Sequence, residues 1–243
     1  MIPIIDNQNI LYEHQDFYVV AKPPNIPVHK DGFRSVSPPL LQQVRDLVGH
    51  HVWPIHRLDR QCSGVIVFSK TQQVVATLQE SLQNGTKRYL ALVRGRIMHN
   101  DLIEIETPIK VDKINNKYKD ALTIAWSLQT QVQPPCSMVL VEPQTGRNHQ
   151  VRRHLRDINH PIIHDGDHGD SRVNRLWREN HGITRLALHA LSIEFLYQDH
   201  EYKIQCPLFI DHYTVYQNLD FWNLIQQQIP ILKQSPIKIN EKS

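Results

Sequence analysis

The sequence predicts an α+β fold in which helices flank a mixed, mostly antiparallel sheet. Strand-like and helix-like segments follow one another without the regular strand–helix–strand order of a parallel α/β sheet. Apolar residues make up 40% of the 243 residues, which is typical of a globular protein, and one large domain can accommodate this length. We find no internal repeat and no linker. We therefore predict a single catalytic domain over residues 1–243, with a core at about 10–229 and a tail at about 230–243.

The first elements are predicted from local patterns. Residues 9–21 read as two short strands around a polar turn. A helix follows over residues 39–48, because prolines occupy its start and apolar residues recur on one face. Ser37 is the expected N-cap of this helix and Gly49 its stop.

The middle of the chain begins with the apolar run 65–68, which is too short for a helix and reads as a buried strand. A second helix is expected from a cap at Thr71 to a stop at Asn84. The remaining predicted elements are strands at 87–95, 102–105, 138–142 and 191–195, a β-hairpin or adaptable arm within 111–135, and helices at 145–159, from Ser171, and at 214–226.

Cysteine usage and the N-terminus indicate a cytoplasmic protein. The three cysteines are widely spaced and form no Cys-x-x-Cys pair, which argues against a disulfide framework or a cysteine zinc site. The N-terminus lacks a basic segment followed by a long apolar core, and no apolar run is long enough to span a membrane. We expect no membrane association.

The basic residues are concentrated rather than spread. The net charge is only +3, but residues 145–189 contain eight Arg, no Lys, seven His and five acidic residues. Arginine without lysine favours a bidentate grip on phosphate or carboxylate groups. Within the predicted helix 145–159, a basic face lies opposite an apolar stripe and is expected to carry His149, Arg152, Arg153 and Arg156. This region could therefore meet a polyanion.

The stretch 55–64 places one carboxylate, Asp59, between Arg57 and Arg60 and ahead of the turn signal Ser63-Gly64. Neighbouring guanidinium groups favour the ionised carboxylate, which suits a nucleophile or a base. An ordinary surface loop with charge pairs explains the same residues about equally well. In an extended segment, Arg57 and Asp59 would share a face.

Other chemistries have weak support. The histidines within 160–168 could ligate zinc or manganese, but their spacing matches no known motif, and a polar loop near an anionic substrate explains the same residues better than a metal site. Phosphate-loop, dinucleotide-binding and serine-hydrolase motifs are missing from the sequence. One carboxylate, several arginines and aromatics such as Tyr89 near basic residues suit chemistry on a polyanion that presents a planar ring. On an apolar strand, Tyr89 could equally be core packing.

Five blocks resemble the RluA-type pseudouridine synthases and occur in the family's order along the chain, over about residues 10–209. The block around Asp59 is given first. The five blocks are His-Arg-Leu-Asp-Arg-x-x-Ser-Gly at 56–64, Lys-Pro to Val-His at 22–29, Lys-Arg-Tyr-Leu-Ala-Leu-Val-Arg-Gly at 87–95, Thr-Gly-Arg-Asn-His-Gln-Val-Arg-Arg-His at 145–154, and Pro-Ile-Ile with Asp165 followed by Leu-Ala-Leu-His-Ala at 186–190. Asn25 and His164 stand where the family has glycine, and Cys62 where threonine is usual.

The resemblance implies a pseudouridine-synthase core, no cofactor or metal, and isomerisation of uridine in RNA. Asp59 would be the catalytic aspartate, Arg152 its partner and Tyr89 the ring stacked on the target base. Arg57 would fill the gap left by the flipped nucleotide, and Leu186 would pack against the base. The other expected substrate-binding residues are His56, Arg60, Lys87, Arg147, His149 and Arg156. Asp59 could attack the base or the sugar, or remove a sugar proton.

The resemblance is closest to the branch that modifies the uridine at position 65 in the T stem of tRNA, chiefly through residues 168–175. We expect no N-terminal S4 domain, no obligate protein partner and a monomer. Two alternatives remain open: the same reaction on a large-subunit ribosomal RNA stem-loop, or a non-catalytic RNA-binding module or RNA chaperone. A metal-dependent nuclease is a remote third.

Overall fold

The computed structural model describes residues 2–30, 38–98, 102–112 and 114–242. The chain forms two compact units. The first comprises Met1–Lys87, His189–Tyr213 and Ile231–Ser243, and the second comprises Arg88–Leu188 and Thr214–Pro230. Among the described residues, none of the helices is both long and apolar enough to cross a membrane.

The regular elements confirm the α+β class. The strands are β1 (Ile2–Ile4), β2 (Ile10–Glu13), β3 (Phe17–Lys22), β4 (Trp53–Pro54), β5 (Ser63–Ser69), β6 (Thr86–Arg94), β7 (Leu102–Ile105), β8 (Ile109–Asp112), β9 (Lys117–Lys119), β10 (Thr123–Gln131), β11 (Cys136–Pro143), β12 (Leu188–Tyr197), β13 (His200–Gln205) and β14 (Asn240–Lys242). The α-helices are α1 (Leu40–Val48), α2 (Val75–Gln83), α3 (Gln150–Asp157), α4 (Ser171–His181), α5 (Ile210–Tyr216) and α6 (Trp222–Gln228).

The sheet of the first unit is mixed. Its order is β2–β3–β5–β12, with β13 paired to β12 and β4 to β5. Strands β3 and β5 are antiparallel, whereas β5 and β12 are parallel, with Gly64 opposite Ala190. Every residue of β3 and β5 is buried, as expected for apolar strands covered on both faces. Strand β5 of this buried pair begins directly after the Asp59 loop.

The sheet of the second unit is antiparallel, with the order β6–β11–β10–β7. The predicted hairpin within 111–135 is seen as the β8–β9 pair, followed by the long strand β10. Helix α3 contacts β10 and β11 of this sheet. The apolar residues of α3, Val151 and Leu155, are 7% and 0% exposed.

Helix ends show which local signals the chain uses. Gly49 ends α1 in a left-handed conformation with φ 77°, as predicted. The predicted cap Ser37 lies outside the described residues. Helix α2 begins at Val75 rather than near Thr71, but it ends at Asn84 as predicted.

The prediction for 145–159 was too long. Helix α3 begins only at Gln150, because His149 adopts a left-handed φ of 54°. The side-chain oxygen of Gln150 accepts the hydroxyl of Thr145 at 2.7 Å and the N–H of Arg147 at 3.0 Å. These side-chain contacts organise residues 145–149 as a loop instead of a helical turn.

Two predictions at the C-terminus were wrong. The closing helix 214–226 is in fact two helices, α5 and α6. The tail after residue 230 contributes to the core: Ile231, Leu232 and Ile237 are 8%, 1% and 8% exposed. Strand β14 pairs with β1. The tail was misjudged because its apolar residues are too few for a periodic pattern, although each one is buried.

Gly64 is expected to be irreplaceable at the parallel contact. A Cβ at Gly64 would lie 2.2 Å from the carbonyl oxygen of Ala190, and its φ is 117°. Gly64→Ala should therefore lower the free energy of unfolding by about 3 kcal/mol or more. Gly49→Ala is the matched control, because it has a positive φ but no heavy atom within 4 Å, and should cost about 1–2 kcal/mol. Urea unfolding measures both, and equal losses would contradict the steric reason.

Candidate active site

The Asp59 loop connects β4 to β5 in the first unit. Asp59 is half-buried, Leu58 beneath it is 6% exposed, and Arg57 and Arg60 are exposed. The N–H of Cys62 donates to the carbonyl of Asp59 at 3.1 Å and closes a turn there. The loop thus presents one carboxylate between two cationic side chains at the start of a fully buried strand.

A buried ammonium group holds this loop from below. Lys22 is 0% exposed, and its Nζ donates to the carbonyls of Pro23, Arg60 and Cys62 at 2.8, 3.0 and 2.7 Å. A charged group is buried only where hydrogen bonds replace its water. Because two of the three acceptors, Arg60 and Cys62, directly follow Asp59 in the chain, Lys22 holds the backbone immediately after the carboxylate.

His56 supports the same loop as a neutral ring. Its Nε2 accepts the N–H of Val67 at 3.2 Å. Burial, and to a lesser extent the charge of Lys87, lower the pKa of His56 to about 3. Burial also lowers the pKa of Lys87. His56 therefore braces the loop against β5 as an uncharged hydrogen-bond acceptor.

Two positions where this chain departs from the family pattern have a common backbone feature. Asn25 and His164 replace glycine of the family blocks, and both adopt positive φ, at 64° and 61°. Glycine enters this region without strain, and asparagine is among the residues that tolerate it best. The backbone at both positions is therefore left-handed although the glycines are missing.

Arg152 was predicted on a basic face that could meet a polyanion, but the residue is buried, with only 4% of its surface exposed. Its Nε and Nη2 donate to the two carboxylate oxygens of Asp165 at 2.8 and 2.7 Å, and Nη2 also donates to Asp167 at 2.7 Å. Arg153 and Arg156 do lie on the outer side, half-buried and exposed. The spacing of charges on a helix does not reveal a partner that lies in a later loop.

The Asp165 carboxylate is itself fixed. Burial would raise the pKa of Asp165, but hydrogen bonds and charge from Arg152, with the N–H groups of His168 and Asp167, outweigh burial and lower it. Asn174 of α4 donates to the Asp165 carbonyl at 2.8 Å and accepts the N–H of His164 at 2.8 Å. The guanidinium of Arg152 is therefore oriented by a rigid loop.

The histidines of this region interact with each other and not with a recognisable metal site. Nδ1 of His149 and Nε2 of His168 are 3.1 Å apart. Burial, followed by the charges of Arg152 and of other neighbours, lowers the pKa of His168 against the opposing effect of Asp165. Within the described part of the chain, no group of three or more His, Cys, Asp or Glu side chains could hold a metal ion.

The remaining predicted residues occupy defined places in the second unit. Tyr89 is half-buried on β6, opposite Val141. Leu186 is 0% exposed. Arg147 donates from Nε to the carbonyl of Asp120 at 3.1 Å, and Arg156 pairs with Asp157.

The predicted site residues fall in both units. Asp59, His56, Arg57, Arg60 and Lys87 belong to the first, and Arg152, Tyr89, Leu186, Arg147, His149 and Arg156 to the second. The pairing of Asp59 with Arg152 stays a prediction.

Comparison with known proteins identifies the family. The family model described as RNA pseudouridylate synthase matches residues 16–157. The chain belongs to the RNA pseudouridylate synthase family. It is an RNA pseudouridine synthase, an isomerase, as the sequence blocks indicated.

Individual relatives and structures agree with this family. The chain is 34% identical to tRNA pseudouridine synthase C of Vibrio vulnificus (strain CMCP6), over 77% of this chain and 84% of that protein. It is 35% identical to tRNA pseudouridine synthase C of Vibrio cholerae serotype O1, over 81% and 88%. The structure of Human RNA Pseudouridylate Synthase Domain Containing 1 superposes with a TM-score of 0.68 at 24% identity, covering 82% of both chains. This last likeness shows the fold.

Sequence reasoning missed several residues that shape this synthase's site. Lys22 was recognised only as part of a matching block, and Asp165, Asp167 and Asn174 were given no role. The position of Lys22 at the end of an apolar strand was an available signal of its role. A lysine that continues a buried strand needs hydrogen-bond acceptors nearby. For Asp165, the available signal was the excess of arginine over lysine in 145–189, since buried arginines need carboxylates.

Acidification should weaken the fold through His56. An unfolded histidine takes up a proton near pH 6.5, whereas folded His56 remains neutral down to about pH 3. The unfolded state therefore binds more protons between these values, and stability falls as pH drops through 6.5, by up to about 1.4 kcal/mol per pH unit. His56→Gln keeps an acceptor for Val67 and removes the titration. Unfolding measured at pH 7 and pH 5 should show a smaller loss in the variant, and parallel losses would contradict this.

Asp165 should matter far more than Asp167 for stability. Asp165→Asn leaves buried Arg152 with the exposed Asp167 in place of its buried paired charge, so we expect a loss of about 3 kcal/mol or more in the free energy of unfolding. Asp167→Asn is the matched control, because its side chain is 64% exposed, and it should cost less than about 1 kcal/mol. Urea unfolding measures the free energy of unfolding of both variants. Similar losses would reject Asp165 as the residue that holds Arg152 in place.

Proposed function

We propose that this pseudouridine synthase isomerises a uridine of tRNA, at position 65 in the T stem, with Asp59 as the catalytic group. The observation that carries the choice of RNA is the similarity to relatives named tRNA pseudouridine synthase C, at 34–35% identity over most of both chains. The resemblance of residues 168–175 to the branch that modifies position 65 supports the choice of nucleotide.

The geometry of the Asp59 loop fits this role. Isomerisation breaks the bond between N1 of uracil and C1′ of the ribose and joins C1′ to C5. C5 loses its proton and N1 takes one up, so nothing is oxidised or reduced. A half-buried carboxylate on a backbone fixed by Lys22 can attack or deprotonate a substrate from one defined position. Arg152 is proposed as its partner, and the hydrogen bonds that Arg152 donates to Asp165 would orient the guanidinium for it.

The substrate base must leave its stem before the reaction. Extruding a base costs a few kcal/mol, which stacking and phosphate contacts must offset. We propose that Tyr89 stacks on the base, that Leu186 packs against it and that Arg57 fills the gap. Arg60, Lys87, Arg147, His149 and Arg156 would contact the RNA. His56 would contribute through neutral hydrogen bonding, because its ring does not take up a proton near neutral pH.

The proposal includes a cytoplasmic monomer in which both units act as a single catalytic domain. A tRNA substrate supports the location, since tRNA is modified where it is used. Size-exclusion chromatography with light scattering would test the oligomeric state.

Asp59 should be required for turnover but not for RNA binding. Phosphate contacts dominate the affinity of RNA-binding proteins, so Asp59→Asn and Asp59→Ala should lose pseudouridine formation at least about 1000-fold while the Kd for tRNA changes little. Asp46→Asn is the control, because it removes an exposed carboxylate of α1 in the same unit. The assay maps pseudouridine in a tRNA transcript at single-nucleotide resolution.

Each outcome of this assay selects one hypothesis. Retained turnover in either Asp59 variant would reject the catalytic assignment. Conversion of a large-subunit ribosomal stem-loop but not tRNA would keep the reaction and change the substrate. Binding without turnover by the wild type on either RNA would favour a non-catalytic module.

A further inference from the structure

A pocket of about 570 Å³ lies beside the Asp59 loop within the first unit. Its base includes Val28 and Leu58, which are 4% and 6% exposed. Its rim carries the exposed side chains of His29, Lys30, Arg57 and Arg60. Of the ten residues assigned to its lining, none is acidic. The pocket therefore combines an apolar base with a rim of three permanent positive charges and a histidine.

The walls of the pocket are fixed before any ligand binds. On one side, the carbonyls of Pro27 and Val28 accept the N–H groups of Leu40 and Leu41 at 2.9 and 3.1 Å, in the first turn of α1. On the other side, the N–H of Ile55 donates to the carbonyl of Val67 at 2.9 Å. Such preformed walls lower the entropy cost of binding.

Arg60 links the two walls directly. Its Nε donates to the carbonyl of Asn25 at 3.1 Å, and Asn25 lies on the loop that leads to Val28. The guanidinium is thereby held at the rim. A cation that is fixed in this way can bind an anion without first losing its own freedom of rotation.

The chemistry of the pocket matches one nucleotide of RNA. Its volume is within the range of small-molecule sites. Phosphate oxygens would meet the cationic rim, and a flat base would face the apolar residues of the lining, which include Val28 and Leu58. Asp59 stands between the lining residues Leu58 and Arg60 in the chain, so a strand that delivers a uridine to Asp59 would lie near the pocket.

We propose that this pocket binds the nucleotide adjoining the target uridine, with Lys30 and His29 contacting its phosphate. The proposal rests on the proposed function, because it takes Asp59 as the position of the target. Neither His29 nor Lys30 belongs to the residues expected to act on the uridine itself. The pocket would hold the strand in register and select the target by its neighbour as well as by its own base.

Neutralising single phosphates tests this contact. A T-arm stem-loop is prepared as a series in which one phosphate at a time near the target uridine is a methylphosphonate. With wild-type protein, one replacement next to the target should raise the Kd about 5- to 10-fold. With Lys30→Ala or His29→Ala/Lys30→Ala the unmodified RNA should bind about 5- to 10-fold more weakly, and that same replacement should have no further effect.

The salt dependence of RNA binding provides a second test. The slope of log Kd against log salt should fall by about one for Lys30→Ala if one phosphate contact is lost. Lys203→Ala is the control, because it removes an exposed lysine of the same unit that pairs with Glu201 at 3.2 Å, and its slope should equal that of the wild type.

The proposal would be overturned if every methylphosphonate weakened binding equally in the wild type and the variant. It would also be overturned if Lys30→Ala left the salt slope unchanged. Turnover by the wild type is measured on the same RNA. The absence of turnover would reject the proposed function. Normal turnover would reject only the role of the pocket if every phosphate replacement raised the Kd equally in the wild type and in Lys30→Ala.

Discussion

The buried ammonium of Lys22 is the contact on which the Asp59 loop depends. A charge that is 0% exposed can persist only if its hydrogen bonds are well made, and here two of the acceptors are the backbone carbonyls of Arg60 and Cys62, which directly follow Asp59. The same strand, β3, is paired to β5, so the loop is fixed at its exit by the sheet and from below by the lysine. His56 adds a third restraint through Val67.

The second unit also buries a cation, but it compensates the charge with a carboxylate instead of neutral carbonyls. Arg152 is buried, and a carboxylate that is itself held by backbone N–H groups compensates it. Each unit therefore contains a buried cation, Lys22 in the first and Arg152 in the second, whose acceptors are held in place by the backbone. Buried ion pairs of this kind add little net stability, but they define the direction in which a side chain points. In the proposed mechanism, in which the target base is extruded, a fixed direction is the useful property.

Much of the fold could be predicted from local sequence, because strands such as β5 and the stop of α1 at Gly49 depend on neighbouring residues. The misjudged features depend on distant partners. Lys22 finds its acceptors 38 and 40 residues later in the chain, and Arg152 finds Asp165 13 residues later. The start of α3 depends on contacts of one glutamine side chain. For the site, the motifs gave the candidate residues, and only the structure revealed which charges are buried and what holds them.

The central claim is that the fixed Asp59 carboxylate isomerises a uridine of tRNA. A pseudouridine map of total RNA, from cells that lack this protein and from the same cells supplied with wild type or Asp59→Ala, tests it most directly. The account predicts that one T-stem site of tRNA disappears without the protein, returns with the wild type and does not return with Asp59→Ala. Restoration of the site by Asp59→Ala, or an unchanged map in cells without the protein, would contradict it.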